Sequence, residues 1–439
     1  MKTCGSLFLL AVLYLCIDNS LSLLTQKHDK VVVCYAASWA HYRKADGKFQ
    51  SKNLPPELCT HFVYAFAGLD TSSWTIRSLD PWRDIEDGIG DYKRMTDLRN
   101  KNPDLKISLA IGGWNEGSKN YSDLAASPSS RKTFIASVVD YLKKHNFDGF
   151  DLDWEFPGKR GGAPYDKENF VSLVKELKEA FKGPRLSLTA AISASKETID
   201  VAYDIPEISK YLDYIHIMAY DYHGTWDLKA LPNAPLRSND GLSVEDSIKY
   251  LLEKGAQPNK LILGLPMYGR TFILTSKLNS TNASPIGQPA LNKGFKGPYT
   301  NEEGFMGYNE ICEELVENSE SWRKGWDDFS STPYAIKDDH VVVYDNPKSV
   351  KAKVDLVKNL NLAGVMVWSI DTDDFRGKCA KLHNDILDPI TGVDFPLMRT
   401  VYISLAKREE DKMEDGTNLA TRFSYSYGLF LLILVISYA

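Results

Sequence analysis

Several common features are scarce in this chain of 439 residues, and each scarcity argues against a class of protein. The 52 basic and 58 acidic residues leave a formal net charge of -6, which argues against a nucleic-acid partner. No glycine-rich phosphate-binding fingerprint follows the first predicted strand, so a dinucleotide-binding open sheet is not favoured. Only six cysteines are present and none has metal-ligand spacing. The sequence therefore predicts neither a metal site nor another cofactor.

Long apolar runs are also scarce, and they lie at the two ends of the chain. Residues 1–22 combine a basic start, an apolar stretch and small residues, which is the pattern of a secretory signal peptide. The apolar run at 428–439 is shorter than the ~17–25 residues of a spanning helix. Small residues, a polar spacer and that apolar end together make 415–439 resemble a glycosylphosphatidylinositol (GPI) anchor signal, which is removed on processing. A short membrane anchor and a soluble product are the alternatives.

Four cysteines remain outside the predicted signal peptide, and an even number in a secreted chain predicts two disulfides. Three pairings are open arithmetically. Cys34 lies in the first predicted strand and Cys59 just before the second, which favours that local pair; Cys312 then pairs with Cys379. Candidate glycosylation sites on such a secreted surface are the three Asn-x-Ser/Thr sequons at Asn120, Asn279 and Asn282.

The most distinctive stretch is 148–155, Asp-Gly-Phe-Asp-Leu-Asp-Trp-Glu, an apolar strand that ends in acids. Alternate side chains of a strand share a face, so Asp151, Asp153 and Glu155 line one side at spacings of ~6–7 Å. Like charges this close make ionisation of all three costly, so we expect at least one pKa to rise, as a general acid requires. An exposed acidic edge and a divalent-metal site are the alternatives. The intervening Phe, Leu and Trp argue against the exposed edge.

Eight apolar segments alternate with helical segments along the chain. The predicted strands are 31–35, 61–66, 105–111, 148–155, 186–192, 212–221, 260–270 and 362–371. This alternation predicts parallel strands joined by crossover helices, and eight such units close into a (β/α)8 TIM barrel, here over 23–271 and 346–395. An open doubly wound sheet is the alternative.

Two further segments complete the predicted organisation. The interval between the seventh and eighth strands is too long for one helix, and its aromatic and β-branched content favours a small inserted α+β subdomain over 272–345. A disordered loop is the alternative. The charged stretch 396–414 is predicted to be a linker, with the end of a helix that begins near Thr400 as the alternative.

Several chemically distinctive side chains fall at the C-terminal ends of predicted strands, where a TIM barrel carries its active site. They are Trp114, Glu155, Tyr220, Asp221, Tyr268 and Trp368. This convergence is independent of any family resemblance.

The motif Asp-x-x-Asp-x-Asp-x-Glu at the end of a hydrophobic strand resembles the signature of family 18 glycoside hydrolases, the chitinases and chitinase-like lectins. Met-Ala-Tyr-Asp-Tyr at 218–222 resembles a second motif of that family. The resemblance covers about residues 28–395 and is closest to the animal, especially arthropod, chitinases. It implies a TIM barrel with an α+β insertion that binds chitin and chito-oligosaccharides, and a monomer is expected.

The resemblance also implies a substrate-assisted mechanism, in which the N-acetyl oxygen of the sugar attacks its own anomeric carbon. Glu155 is then the general acid and later the base. Asp153 orients the acetamide, Asp151 hydrogen-bonds Asp153, and Tyr220 donates to the acetamide oxygen. Further sugar contacts are implied at Trp114, Asn115, Trp368, Asp221, Tyr268, Arg270, Tyr35, Phe66, Trp39, Trp226 and Met218. The alternatives are surface packing for Trp39 and Trp226, core packing for the other aromatic residues, and a structural ion pair for Arg270.

The chain departs from the family pattern at two places. Phe156 follows the acid where Tyr is more usual, and Asp-His-Val at 339–341 replaces a tryptophan-containing strand, which removes one aromatic contact. Two other functions are compatible with this fold: a non-catalytic lectin or growth-factor-like protein, and an enzyme that cleaves N-linked glycan cores. Glu155 favours an enzyme over a lectin, because the non-catalytic members commonly lack the acid at this position.

Overall fold

The computed structural model describes residues 28–278, 280, 283–380 and 393–406. The compact unit within them is Lys30–Ser404. The predicted signal peptide (1–22), the anchor-type segment (415–439), the last eight residues of the predicted linker (407–414) and two sequons (Asn279 and Asn282) lie outside the described residues.

Fourteen strands form two sheets within the described residues. They are β1 (Val31–Ala37), β2 (His61–Asp70), β3 (Thr75–Ser78), β4 (Lys106–Gly112), β5 (Gly149–Asp153), β6 (Ser187–Ser193), β7 (Tyr214–Met218), β8 (Leu261–Pro266), β9 (Tyr268–Ile273), β10 (Phe305–Gly307), β11 (Arg323–Asp327), β12 (Thr332–Lys337), β13 (His340–Val343) and β14 (Gly364–Trp368). Eight parallel strands run in the order β1-β14-β8-β7-β6-β5-β4-β2, and β1 also pairs with β2. The sheet is therefore closed, and the predicted (β/α)8 barrel is confirmed.

Helices follow most barrel strands and cover the outside of the sheet. They are α1 (Pro81–Asp84), α2 (Asp91–Thr96), α3 (Lys119–Ala126), α4 (Pro128–Lys144), α5 (Asp166–Phe181), α6 (Lys196–Ala202), α7 (Ile205–Tyr211), α8 (Val244–Glu253), α9 (Tyr308–Glu317), α10 (Pro347–Asn359) and α11 (Pro396–Leu405). In α4 the Ser127 side chain caps the first turn, and the buried Phe134, Val138 and Leu142 recur every four residues on one face. These residues give α4 a single apolar face.

The barrel interior is a packed core rather than a pore. Its buried cluster includes Val33, Tyr35, Val63, Ile262 and Met366, contributed by four different strands. The seam between the first and last strands is reinforced by Asp371, which is fully buried. Its carboxylate accepts from the Ala37 amide at 2.9 Å and pairs with Arg43 at 2.7 Å. The end of β1 is thereby tied to the loop after β14.

The second sheet belongs to the inserted region and has the order β10-β9-β13-β12-β11, with antiparallel pairing. The predicted seventh strand, 260–270, is wrong as one continuous strand. It breaks at Met267, so that β8 stays in the barrel and β9 enters the second sheet. The expected insertion boundary at 272 therefore falls inside β9. The apolar run continues through the break, which is why periodicity alone could not locate it.

The predicted linker over 396–414 is wrong in its first ten residues, which form α11; the alternative of a helix is correct there, but it begins at Pro396 rather than near Thr400. Leu397, Met398 and Val401 are buried, at the spacing of one helical face. The dense charge that suggested a linker begins only after this helix. Among the described residues, no helix has both the length and the apolar character that crossing a membrane requires.

Both predicted disulfides are present, Cys34–Cys59 and Cys312–Cys379. The remaining described sequon, at Asn120, lies in α3 with an exposed side chain.

One strand was not expected: β3 pairs antiparallel with the end of β2. At Asp97 the helix α2 passes into a 3-10 turn.

Candidate active site

A groove of about 1360 Å³ lies at the C-terminal ends of the barrel strands. Fourteen of the fifteen predicted catalytic and sugar-contact residues line it: Tyr35, Trp39, Phe66, Trp114, Asn115, Asp153, Glu155, Met218, Tyr220, Asp221, Trp226, Tyr268, Arg270 and Trp368. The fifteenth, Asp151, is fully buried beneath them in β5. Residues from both the barrel and the inserted sheet therefore meet at one surface.

Two glycines at the end of β4 shape the groove wall beside the acids. Gly112 and Gly113 have φ values of 109° and 80°, which side chains rarely tolerate. A Cβ on Gly112 would lie 2.1 Å from the Asp153 carbonyl oxygen, and one on Gly113 would lie 2.7 Å from the Phe66 ring. The Gly113 amide donates to the Asp153 carbonyl at 2.8 Å. The sharp turn that these two glycines allow brings Trp114 next to the acidic strand.

Asp151 is held in a buried hydrogen-bond network inside the barrel. Its carboxylate accepts from the Tyr35 hydroxyl at 2.6 Å and from the Thr189 hydroxyl at 2.5 Å. His216 Nδ1 lies 3.2 Å from the same carboxylate and 2.8 Å from the Tyr35 oxygen. Sequence analysis did not identify Thr189 or His216. Each is a single polar residue in an apolar strand, and that pattern indicates no particular function.

The predicted rise of at least one pKa occurs at both Asp153 and Glu155, with burial rather than the spacing of the acids as the main cause. Burial raises the pKa of Asp153 well above its ordinary value, and the neighbouring Glu155 and Asp151 charges add to that rise. Burial also raises the pKa of Glu155 to about 7, with Arg160 opposing the rise and Asp221 reinforcing it. Among the described residues, Asp153 Oδ1 is buried without a hydrogen-bond partner. The expected hydrogen bond from Asp151 to Asp153 is not among the contacts of this structure.

Asp221 organises the opposite wall of the groove. Its carboxylate accepts from the Tyr268 hydroxyl at 2.7 Å and from Arg270 Nε at 2.9 Å. Arg270 Nη2 lies 2.6 Å from the same oxygen, so Arg270 does pair with an acid, but that acid lines the groove. Asp221 has a φ of 56°, an uncommon conformation for a residue with a side chain. The inserted sheet thus supplies, through β9, two groups that hold a barrel-derived carboxylate.

Tyr220 is half-buried and lines the groove together with Asp153 and Glu155. Burial raises its pKa well above the ordinary value, and the charges of Asp153 and Asp221 raise it further. The group therefore remains a proton donor at all physiological pH values. Its hydroxyl lies 3.8 Å from the Met366 sulfur, and its ring packs edge-on against Tyr268 at 6.1 Å.

Aromatic rings form the floor of the groove. Phe66 stacks on Trp368 with centroids 5.8 Å apart, and Trp39 lies 6.1 Å from Phe66 and 6.0 Å from Trp368. Tyr35 meets Trp368 edge-on at 5.7 Å. This cluster packs the top of the barrel core and also lines the groove, so core packing and a sugar contact are compatible for these rings.

Two more tryptophans project from the groove walls, and a cation contacts each. Trp114 is 59% exposed and Trp226 is 56% exposed. The Arg160 guanidinium lies 3.5 Å from the Trp114 ring centroid, and that of Arg270 lies 5.3 Å from the Trp226 ring. Arg160 was missed by sequence analysis, because a loop residue between glycines has no periodicity that predicts where its side chain lies.

The arrangement combines a carboxyl with a pKa near neutrality, a second protonation-prone carboxyl, a tyrosine donor and aromatic platforms. A protonated carboxyl can give a proton to a leaving oxygen, and hydrogen-bond donors in a largely buried site can orient a carbonyl. Flat aromatic faces beside polar groups suit the apolar faces and hydroxyls of sugar rings. The site is therefore suited to acid-catalysed cleavage of a bond within a carbohydrate.

Comparisons with known proteins agree with this geometry. Residues 31–373 match the family model described as glycosyl hydrolases family 18. The chain is 50% identical to the probable chitinase 2 of Drosophila melanogaster over 396 residues, which cover 85% of this chain and 80% of that protein. It is 39% identical to the endochitinase of Manduca sexta over 80% of this chain and 65% of that protein.

Solved structures give the same result and one contrast. The Ostrinia furnacalis Group IV chitinase is 42% identical, with a TM-score of 0.80 over 86% of this chain and 100% of that chain. Human YKL-39, described as a pseudo-chitinase with retained chitooligosaccharide binding properties, is 34% identical with a TM-score of 0.76 over 86% of this chain and 100% of that chain. From the matched model, the identities and the shared fold, we conclude that this chain belongs to glycosyl hydrolase family 18, among its animal-type chitinases.

Proposed function

We propose that this protein is an endo-acting chitinase that hydrolyses β-1,4-linked N-acetylglucosamine polymers with retention of configuration. The observation that carries the proposal is the position of Glu155, a buried carboxyl at the edge of an open groove, where burial raises its pKa to about 7. A carboxyl with such a pKa holds its proton in mildly acidic solution and can still release it, which general acid–base catalysis needs.

In the proposed reaction, Glu155 gives its proton to the glycosidic oxygen as the bond to the anomeric carbon breaks. The N-acetyl oxygen of the same sugar attacks that carbon and forms a cyclic intermediate. The Glu155 carboxylate then takes a proton from water, whose oxygen opens the intermediate from the opposite face. Two inversions at one carbon leave the original configuration.

The other acids and Tyr220 orient the acetamide. Burial and two acidic neighbours raise the pKa of Asp153. When it is ionised, the Asp153 carboxylate accepts a hydrogen bond from the acetamide N–H and balances the positive charge of the intermediate. The Tyr220 hydroxyl donates to the acetamide oxygen. Asp221 binds sugar hydroxyls from a position fixed by Tyr268 and Arg270, while Trp368, Phe66 and the other groove residues support the ring faces.

A chitin-binding lectin is the second candidate, because the fold shared with YKL-39 does not separate the two functions. The discriminating feature is Glu155 together with its raised pKa, since binding alone does not need a poised acid. Cleavage of N-linked glycan cores is disfavoured by the inserted sheet and the aromatic residues of the groove, and release of glycans from a glycoprotein would reverse that judgement.

The deciding measurement is hydrolysis of chitohexaose by wild type and by Glu155→Gln, with Glu57→Gln as a matched exposed control. We expect the Glu155→Gln variant to lose about 10²–10⁴-fold or more in kcat while it still binds the hexamer. Glu57→Gln should cleave like wild type. If all three proteins bind and none cleaves, the protein is a lectin that carries a complete catalytic motif.

We also propose that the protein acts outside the cell, attached to its surface by a GPI anchor. The support is the predicted signal peptide, the two disulfides and the anchor-type pattern at 415–439. A phosphatidylinositol-specific phospholipase should release the protein from intact cells. Retention after treatment, with a known GPI-anchored protein released in parallel, would contradict the anchor.

A further inference from the structure

The loop between β5 and α5 carries a cation that belongs to neither sequence motif. Arg160 has a φ of 51°, in the left-handed region that residues with side chains seldom occupy. An uncommon backbone conformation persists where surrounding contacts determine it, and such conformations concentrate at functional sites. The contacts of this loop therefore show what holds Arg160 in place.

The base of the loop is fixed by Asp166, the first residue of α5, which is fully buried. Its carboxylate accepts from the backbone amides of Gly158 at 2.9 Å and Ala163 at 2.8 Å, and from the Ser122 hydroxyl at 2.6 Å. These bonds hold the loop on both sides of Arg160. The backbone around Arg160 is thus held by bonds that do not involve the Arg160 side chain.

The Arg160 side chain makes three contacts with two groove residues. Its Nη1 donates to the Glu155 carbonyl at 3.0 Å, and its Nη2 donates to the Trp114 carbonyl at 2.9 Å. The guanidinium carbon also lies 3.5 Å from the centroid of the Trp114 ring, over its face. One planar group therefore joins the loop after β4 to the loop after β5, which a lysine ammonium cannot do in the same geometry.

We propose that Arg160 is a positioning residue for the proposed reaction, holding Trp114 and the Glu155 backbone in one fixed arrangement and leaving a single face of Trp114 for a sugar ring. A sugar that stacks on Trp114 then meets a platform whose rotation has already been restricted. The Trp114 side chain therefore loses its conformational entropy when the protein folds and not when the sugar binds. Sugar binding is stronger for that reason.

The charge of Arg160 has a separate effect on the acid. Burial raises the pKa of Glu155, and the Arg160 guanidinium opposes that rise. Removing the charge should therefore move the alkaline limb of the pH–activity profile to higher pH. The proposal thus gives two signatures, one in sugar binding through contact geometry and one in pH dependence through charge.

The test compares Arg160→Gln, Arg160→Lys and the adjacent Lys159→Gln, which removes a charge from the same loop without these contacts. Chitohexaose binding is measured by calorimetry in the Glu155→Gln background, alone and combined with Trp114→Ala. We expect Arg160→Gln to weaken binding about fivefold, and to add little once Trp114 is absent, because the two residues act as a unit. Arg160→Lys should remain weak, and Lys159→Gln should bind normally.

The active proteins supply the second signature. Arg160→Gln should shift the alkaline limb upward, whereas Arg160→Lys, which keeps the charge, should leave it in place. The proposal is overturned if Arg160→Gln binds like Lys159→Gln, if its loss adds in full to that of Trp114→Ala, or if Arg160→Lys restores binding completely. If Arg160→Gln does not fold, the binding measurement is made with Arg160→Lys instead. Because binding is measured without turnover, failure here is distinguishable from failure of the proposed chitinase activity.

Discussion

Replacing Glu155 by glutamine is expected to stabilise the protein at pH 8 and to leave its stability at pH 4 nearly unchanged. Burial raises the pKa of this carboxyl from 4.5 to about 7. At pH 4 the carboxyl is largely neutral in both the folded and the unfolded chain, so it does not lower the free energy of unfolding. Between about 4.5 and 7 the unfolded chain ionises first, and the free energy of unfolding falls. Above pH 7 that loss is complete.

The size of the effect follows from the shift. A difference of about 2.5 pH units at ~1.36 kcal/mol each gives about 3 kcal/mol, which glutamine recovers because it never ionises. The substitution also lowers the pKa of Asp153, because the Glu155 charge contributes to the rise of that pKa. This change adds to the stabilisation at high pH. For a cooperative unit of this size, about 3 kcal/mol corresponds to a rise of about 4 °C in Tm.

The assay is thermal or urea unfolding of wild type, Glu155→Gln and the exposed control Glu57→Gln at pH 4 and pH 8. The gain should appear only in Glu155→Gln and only at the higher pH. An equal gain at both pH values would refute the electrostatic reasoning and indicate a packing effect. No gain at pH 8 would mean that Glu155 ionises in the folded protein as easily as in water.

Two further outcomes follow from the site and the disulfides. Asp221→Asn should move the alkaline limb of chitohexaose hydrolysis to lower pH, because the Asp221 charge helps to raise the pKa of Glu155; a limb that stays in place would contradict this coupling. Removing Cys312–Cys379 by serine substitution should cost about 4 kcal/mol of unfolding free energy and removing Cys34–Cys59 about 3.5, because the first spans 67 residues and the second 25. Denaturant unfolding that reverses this order would rule out loop length as the deciding factor.

The sequence was sufficient for features that are periodic or that are fixed by local spacing. Alternation in β5 places Asp151 beneath Asp153 in one line, and the apolar face of α4 recurs every four residues. The ends of parallel strands meet at one edge, so Tyr220 and Trp368 could be placed in one groove before their contacts were known. Each of these inferences needs only the geometry of a single element or of the barrel.

The features that sequence analysis missed depend on contacts between distant segments. Arg160 contacts Trp114 from a loop 46 residues later, and the direction of a loop side chain follows no period. His216 bonds Tyr35 across the barrel, a separation of 181 residues. The break at Met267 changes which sheet the chain joins without changing its apolar character. The helix α11 was held only as an alternative to a linker, because the charged segment after it dominated the composition of that region.

The closure of the barrel has a consequence for how the protein is made. β1 needs β14 as its second neighbour, and about 330 residues separate these strands in the chain. At ~5–20 residues per second, synthesis of that interval takes on the order of 20–70 s, during which one edge of β1 has no partner. Unpaired strand edges invite association with other chains. The bond between Cys34 and Cys59 joins segments only 25 residues apart, so an oxidising compartment can hold β1 beside β2 throughout that wait.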